Sequence, residues 1–103
     1  MIYSIHQSTQ AELDLDGITN YIIVSLNNPN AAGDLLDLYK KKLETLRITP
    51  RLYGLSQIIS FARMGLHRFN FGNYIAYYTI NDEEGIVSIV RIVYKRQDYS
   101  RVL

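Results

Sequence analysis

Residues 66–103 read LHRFNFGNYIAYYTI (66–80), NDEEG (81–85) and IVSIVRIVYKRQDYSRVL (86–103), and their pattern decides the fold. Gly72-Asn73 stands between two runs rich in aromatic and β-branched residues, a strong hairpin signal. The acidic stretch that ends at Gly85 marks a second hairpin. Three consecutive antiparallel strands are therefore expected to end the chain. Onto them are set Arg68, Arg91, Lys95 and Arg96, with aromatic residues between. Cations on a rigid sheet suit a polyanion or an acidic protein segment.

Working back from the sheet, residues 51–65 are ambiguous. Gly54 and Gly65 punctuate them, and LSQIISFA fits either a short strand or a helical turn. Before them, Ala32, Leu35, Leu36, Tyr39, Leu43 and Leu46 form the apolar stripe of a helix. That helix starts at Asn28-Pro29, where the missing proline N–H costs little, and stops at Thr49-Pro50. An earlier helix is read from Ala11, Leu15, Ile18, Ile22 and Leu26, which recur at helical spacing on one face. Thr9 stands three residues before Glu12, a capping-box signature at its start. Asn27-Asn28 is too short a link for anything but an antiparallel helix hairpin. Residues 2–6 alternate weakly and give a first strand. The predicted order is β-α-α-β-β-β, an α+β two-layer sandwich with the helix hairpin on one face of a mainly antiparallel sheet.

One domain spanning residues 1–103 is expected, since 103 residues suffice for one two-layer core. The apolar share of 48% argues against a disordered chain. With no cysteine, disulfides and thiolate metal sites are excluded, which suits a cytoplasmic protein. Met1 leads directly into a strand-like run, so no leader peptide is expected. The longest apolar stretch, YIIVSL, falls far short of the ~20 residues of a membrane span. Net charge is +1, but residues 1–50 carry four Lys/Arg against six Asp/Glu, a net −2, while residues 51–103 carry seven against four, a net +3. The basic half is the sheet, yet the excess is too modest for autonomous tight DNA binding. His6 and His67 are isolated without metal-ligand spacing, and no Walker loop, nucleotide fingerprint or Ser-His-Asp order is present. Neither a metal nor a cofactor is called for.

The predicted order resembles the RelE/ParE superfamily when combined with several short motifs. These are P-x-x-x-G at Pro50 and Gly54, the arginine Arg68, G-N-Y at 72–74, Tyr78, and V-R-I-V-Y-K-R-Q-D-Y at 90–99. The resemblance spans essentially the whole chain. It implies a toxin of a bacterial type II toxin–antitoxin module, neutralised by a cognate antitoxin that wraps it, so that a toxin–antitoxin hetero-oligomer is the implied assembly. It also implies one of two targets: the ribosome with its mRNA, cut in the A site by RelE-like members, or DNA gyrase, bound by ParE-like members without RNA cleavage. A degenerate toxin that only binds antitoxin is a third reading.

Metal-free RNA cleavage needs groups that take and give protons and cations that stabilise the charge gained at phosphorus. For a nuclease the resemblance implies Arg68 and Arg96, with Tyr94 or Tyr99. For target or antitoxin binding it implies Arg68, Arg91, Lys95 and Arg96. Two departures count against the nuclease. Ile75 stands where nucleases carry a key arginine, just after the motif tyrosine Tyr74, and Asn70 stands at a second basic position. An isoleucine cannot stabilise a phosphorane, so the gyrase-directed mode is favoured. Arg96, just past the last strand, is the strongest candidate for target contact. Arg91, amid β-branched residues, needs a carboxylate, with Asp98 and Glu12 as candidates. Asp14 and Asp16 are read as a solvated helix face, and the Lys40–Lys42 run as mostly a solubility feature. The arginines are expected on the outer side of the sheet, away from the helices.

Overall fold

The computed structural model of the chain describes residues 1–56 and 59–96. Four strands form one sheet: β1 (Ser4–Gln7), β2 (His67–Phe71), β3 (Tyr74–Asn81) and β4 (Ile86–Tyr94), in the order β1-β4-β3-β2. β2, β3 and β4 are antiparallel neighbours, as expected. β1 adds to β4 in parallel, pairing only with Ile86–Ile89. The α+β sandwich is therefore as read from the sequence, with a mixed sheet.

The first hairpin turns at Gly72, whose φ of +58° with an ordinary φ at Asn73 gives the type II′ geometry that matches strand twist. A Cβ there would also lie 3.0 Å from Leu35 Cδ1, so the glycine serves both the turn and the close approach of the helix. Midway along β3–β4, Tyr77 faces Arg91 while Tyr78 faces Ile89, leaving Val90 as the extra residue of a bulge.

The helix hairpin consists of α1 (Thr9–Asn20), continued by a π-helical turn over Tyr21–Ser25, and α2 (Pro29–Ile48). α1 is capped one residue earlier than the capping box suggests. The Ser8 hydroxyl, not that of Thr9, accepts the Ala11 N–H at 3.0 Å and itself donates to the Val90 carbonyl of β4 at 2.8 Å. The cap is thus shared with the sheet, which decides in favour of Ser8. The π turn accounts for a second difference. Its extra residue rotates everything after it by about 100°, so Ala11, Leu15, Ile18 and Ile22 face the core but Leu26 does not. At α2 the Asn28 side chain accepts the Ala31 N–H at 3.1 Å, with Pro29 in the first turn. Ala32, Tyr39 and Leu46 are buried, and Leu35 and Leu43 pack beside them.

Between the hairpin and the sheet lies the main core: Ala11, Tyr39 and Leu46 from the helices against Phe69, Phe71, Ala76, Tyr78, Val87, Ile89 and Ile92. Burial pushes the Tyr39 and Tyr78 hydroxyls above their ordinary pKa. Tyr39 donates to Gln7 Oε1 at 2.7 Å, and Tyr78 to the Pro50 carbonyl at 2.9 Å. Within residues 51–65, the structure makes both of the elements that the sequence leaves open. Leu55 forms a short bridge to His67, and α3 (Ile59–Arg63) is a single helical segment.

The outer side of the sheet differs most from expectation. It is not an open basic surface. Phe61 from α3 and Leu66 close over Ile75, Tyr77, Val90 and Val93 in a second apolar cluster. Phe61 meets Tyr77 edge-on, with ring centroids 5.5 Å apart. The physical reason is the composition of β3 and β4. Both are near-continuous apolar runs, the mark of strands covered on two faces.

At the opposite end of the molecule Arg51, just after α2, makes two parallel bonds to Asp82 of the β3–β4 turn, at 2.9 and 2.6 Å, while the Tyr3 hydroxyl adds a third at 2.7 Å. These hydrogen bonds from Arg51 and Tyr3 hold the Asp82 carboxyl at about 2, well below the usual carboxylate range. The arrangement ties the turn to the base of the helix layer, far from the groove described next.

Candidate functional site

β1 ends at Gln7, so from Val90 onward β4 has no strand on its outer flank. α1 lies beside that flank instead, and Asp14 takes over part of the work of a strand. Its Oδ2 accepts the backbone N–H of Ile92 at 2.9 Å, and its two oxygens accept Nε and Nη2 of Arg91 at 2.8 and 3.2 Å. The pair is largely shielded, with side-chain exposure of 24% for Arg91 and 11% for Asp14. Burial pushes the Asp14 carboxyl up, but the hydrogen bonds from Arg91, Ile92 and Gln10 outweigh it and leave the pKa below its ordinary value.

Beside this pair runs an open groove of about 860 Å³ between α1 and the far ends of β3 and β4. One wall carries Leu13, Gly17, Ile18, Tyr21 and Leu26, the other Tyr74 and Arg91 through Tyr94. The Tyr74 and Tyr94 rings lie tilted with centroids 5.6 Å apart. Burial, then the neighbouring Tyr94 and Tyr21 hydroxyls, raise the Tyr74 pKa. With its pKa raised, the Tyr74 phenol is a poor base at neutral pH. What the groove offers is apolar surface with a polar floor. Leu13, Tyr21 and Leu26, which line it, are all exposed.

The candidate residues scatter. Lys95 and Arg96 are exposed just past the end of β4, where the Lys95 N–H donates to the Asn73 carbonyl at 2.8 Å and anchors the exit. Tyr94 lines the groove next to them. Arg91 is engaged by Asp14, a partner that the sequence did not single out; of the two candidates it offered, Asp98 lies outside the described residues. Arg68 lies across the sheet, opposite Tyr77, on the far edge strand. By register Arg68 stands two strands from Arg91, roughly 10 Å across the sheet, whereas Arg96 lies past the end of β4. Tyr99 and Asp98 lie outside the described residues. Ile75 is fully covered between Leu66, Tyr77 and Val93, and Asn70 is exposed opposite it on β2.

The sequence reading missed Asp14 as a structural partner. Its signal was positional. Asp14 sits three residues after Ala11 and next to Leu15, on the flank of the buried stripe and not on the solvent side. Among the described residues no group of three or more His, Asp or Glu side chains comes together as a metal site would require. Among the same described residues, no helix is long and apolar enough to cross a membrane.

The family model for the ParE toxin of the type II toxin–antitoxin system parDE matches residues 5–99. The chain belongs to this family of toxins, within the RelE/ParE superfamily. Solved structures share the fold at low identity. Against the chromosomal ParDE toxin–antitoxin system of P. aeruginosa the TM-score is 0.69 at 18% identity, covering 90% of this chain and 96% of that one. Against the RelBE2 toxin–antitoxin complex of Mycobacterium tuberculosis it is 0.60 at 19% identity, covering 91% and 99%. Against the archaeal RelE–RelB complex of Pyrococcus horikoshii OT3 it is 0.62 at 15% identity, covering 94% and 99%. No curated protein sequence matches the chain.

Proposed function

We propose that this toxin arrests growth by binding DNA gyrase through the surface at the end of β4, that it does not cut RNA, and that a cognate antitoxin neutralises it by covering the neighbouring groove. The observation that carries the reading is the burial of Ile75. The resemblance implies a guanidinium at this strand position in a nuclease, and here the residue is an isoleucine packed with Phe61 and Leu66. A phosphate cannot approach that point without opening an apolar cluster.

Binding fits better. Arg96 is exposed just past the end of a rigid strand with Tyr94 nearby, and arginine and tyrosine are residue types that concentrate binding energy at interfaces. The rim residues Leu13, Tyr21 and Leu26 supply the apolar surface that an amphipathic antitoxin segment needs. The structural relatives from P. aeruginosa, M. tuberculosis and P. horikoshii come from toxin–antitoxin pairs, which supports an antitoxin partner here.

Inducible expression tests the reading. Growth arrest should be accompanied by induction of the DNA-damage response, with mRNA intact by primer extension. Arrest with A-site cuts would replace gyrase by the ribosome, and no arrest at all would leave only an antitoxin-binding module. Arg96→Ala should remove a contact of about 2 kcal/mol or more, roughly 30-fold in target affinity. It should relieve arrest while leaving the fold intact, because the side chain is exposed. Full toxicity of that variant at equal soluble abundance would refute the assignment.

A further inference from the structure

The α1 wall of the groove carries a pattern that the fold itself does not use. Leu13, Gly17 and Tyr21 stand four residues apart on one face of the helix, and all three are exposed. Leu13 and Tyr21 are each more than half exposed. A glycine in a helix interior is destabilising relative to alanine. Gly17 has no packing reason within the fold to offset this, since a Cβ there would meet nothing within 4 Å. What a bare Cα does permit is the close approach of another helix. Tyr21 also opens the π-helical turn, an irregularity of the kind that collects at functional sites.

We infer that this face is the contact between two copies of the chain, with α1 crossing the α1 of a second copy antiparallel at Gly17. The pattern reads the same in both directions, because Leu13 and Tyr21 lie equally far from Gly17. An antiparallel second copy therefore places each Leu13 on the partner's Tyr21, and the two glycines meet on the two-fold axis. Charge points to the same occupant. Asp14, on the flank of the seam, is already engaged by Arg91, Glu12 and Asp16 fall on other faces of the helix, and residues 17–33 carry no charge. A two-fold contact thus brings no unpaired like charges together in the seam, whereas a charged partner segment finds no counter-charge there. The largest exposed apolar patch on a monomer measures roughly 300–600 Å². Two of them face to face reach about 1,000 Å², the size of a weak specific interface. The inference concerns the free chain and holds whichever target the toxin engages. Leu13 and Tyr21 also line the groove proposed for the antitoxin, so the two copies must part when that groove is filled.

Sedimentation equilibrium of the purified full chain is the test. The expected result is a monomer–dimer equilibrium with a dissociation constant on the order of 10 µM. Tyr21→Ser should weaken it about tenfold, the loss of one packed anchor. Gly17→Gln should weaken it by at least about tenfold while raising the melting temperature of the monomer, because glutamine is the better helix former and the space at position 17 is open. Those opposite shifts separate a contact residue from a merely structural one. The chain has no cysteine, so Gly17→Cys introduces a single thiol. Mild oxidation should join two copies through it, whereas Lys41→Cys, at an exposed position of α2, should give no such product. A chain that stays monomeric up to about 300 µM, leaving the face to a different partner, would overturn the inference. So would a dimer that Gly17→Gln and Tyr21→Ser leave intact, or equal cross-linking from positions 17 and 41.

Discussion

Ile75→Arg is expected to destabilise the fold by at least about 3 kcal/mol and to confer no RNA cleavage. Position 75 lies on β3, an inner strand of the sheet, with Asn70 on one side and Val93 on the other. Its side chain is 1% exposed and packs with Phe61, Leu66 and Tyr77. An arginine there must both overfill a packed cluster, at about 1–3 kcal/mol, and shed water from a guanidinium with no carboxylate in the cluster to receive it. Urea unfolding of the variant against wild type measures the loss. If the position were a dormant phosphate site, the arginine would be accommodated with little change in stability. An unchanged midpoint would therefore reverse the argument drawn from Ile75.

Asp14→Ala should cost about 3 kcal/mol, an unusual amount for a residue on the outer flank of a helix. One carboxylate satisfies the Arg91 guanidinium and the Ile92 N–H together. Removing it weakens a shielded ion pair and strips a backbone donor of its partner at the unpaired half of β4. Asp14→Asn retains an acceptor for Ile92 but not the charge, and should lose about half as much. The same geometry sets a pH dependence. The Asp14 pKa in the fold lies below its ordinary value of 3.8. Its contribution is therefore fully present above the unfolded value and fades as pH falls through the folded one. The stability gap between wild type and Asp14→Asn should narrow below about pH 4. A gap that stays constant from pH 7 to about pH 3 would mean that the carboxylate charge is not what holds β4 to α1.

The order of elements was legible because each carried a local signal: Gly72-Asn73 and Gly85 for the turns, Asn28-Pro29 for the second helix, the spacing of Ala11, Leu15 and Ile18 for the first. Features set by distant partners were not. The parallel docking of β1 on β4 joins residues about 80 apart and leaves no trace in residues 4–7. The choice of Ser8 over Thr9 as cap depends on the Val90 carbonyl, again a distant group. The closed outer face was readable in principle. YIAYY and IVRIV do not alternate as a half-exposed strand would, and the bulge at Val90 keeps apolar side chains on both faces. The arginines of the C-terminal half drew attention to a basic surface that the sheet does not present as a unit. Arg91 turns to Asp14, Arg68 belongs to the far edge, and Lys95 and Arg96 leave from the end of β4.

One experiment bears most directly on the proposal that the toxin works by contact and not by phosphate chemistry. Purified chain is added to ribosomes translating a defined mRNA, and in parallel to a gyrase supercoiling reaction. Intact mRNA, with no new 3′ ends in the A site, together with loss of supercoiling is the predicted outcome. Ribosome-dependent cuts in the message, with gyrase activity untouched, would contradict it.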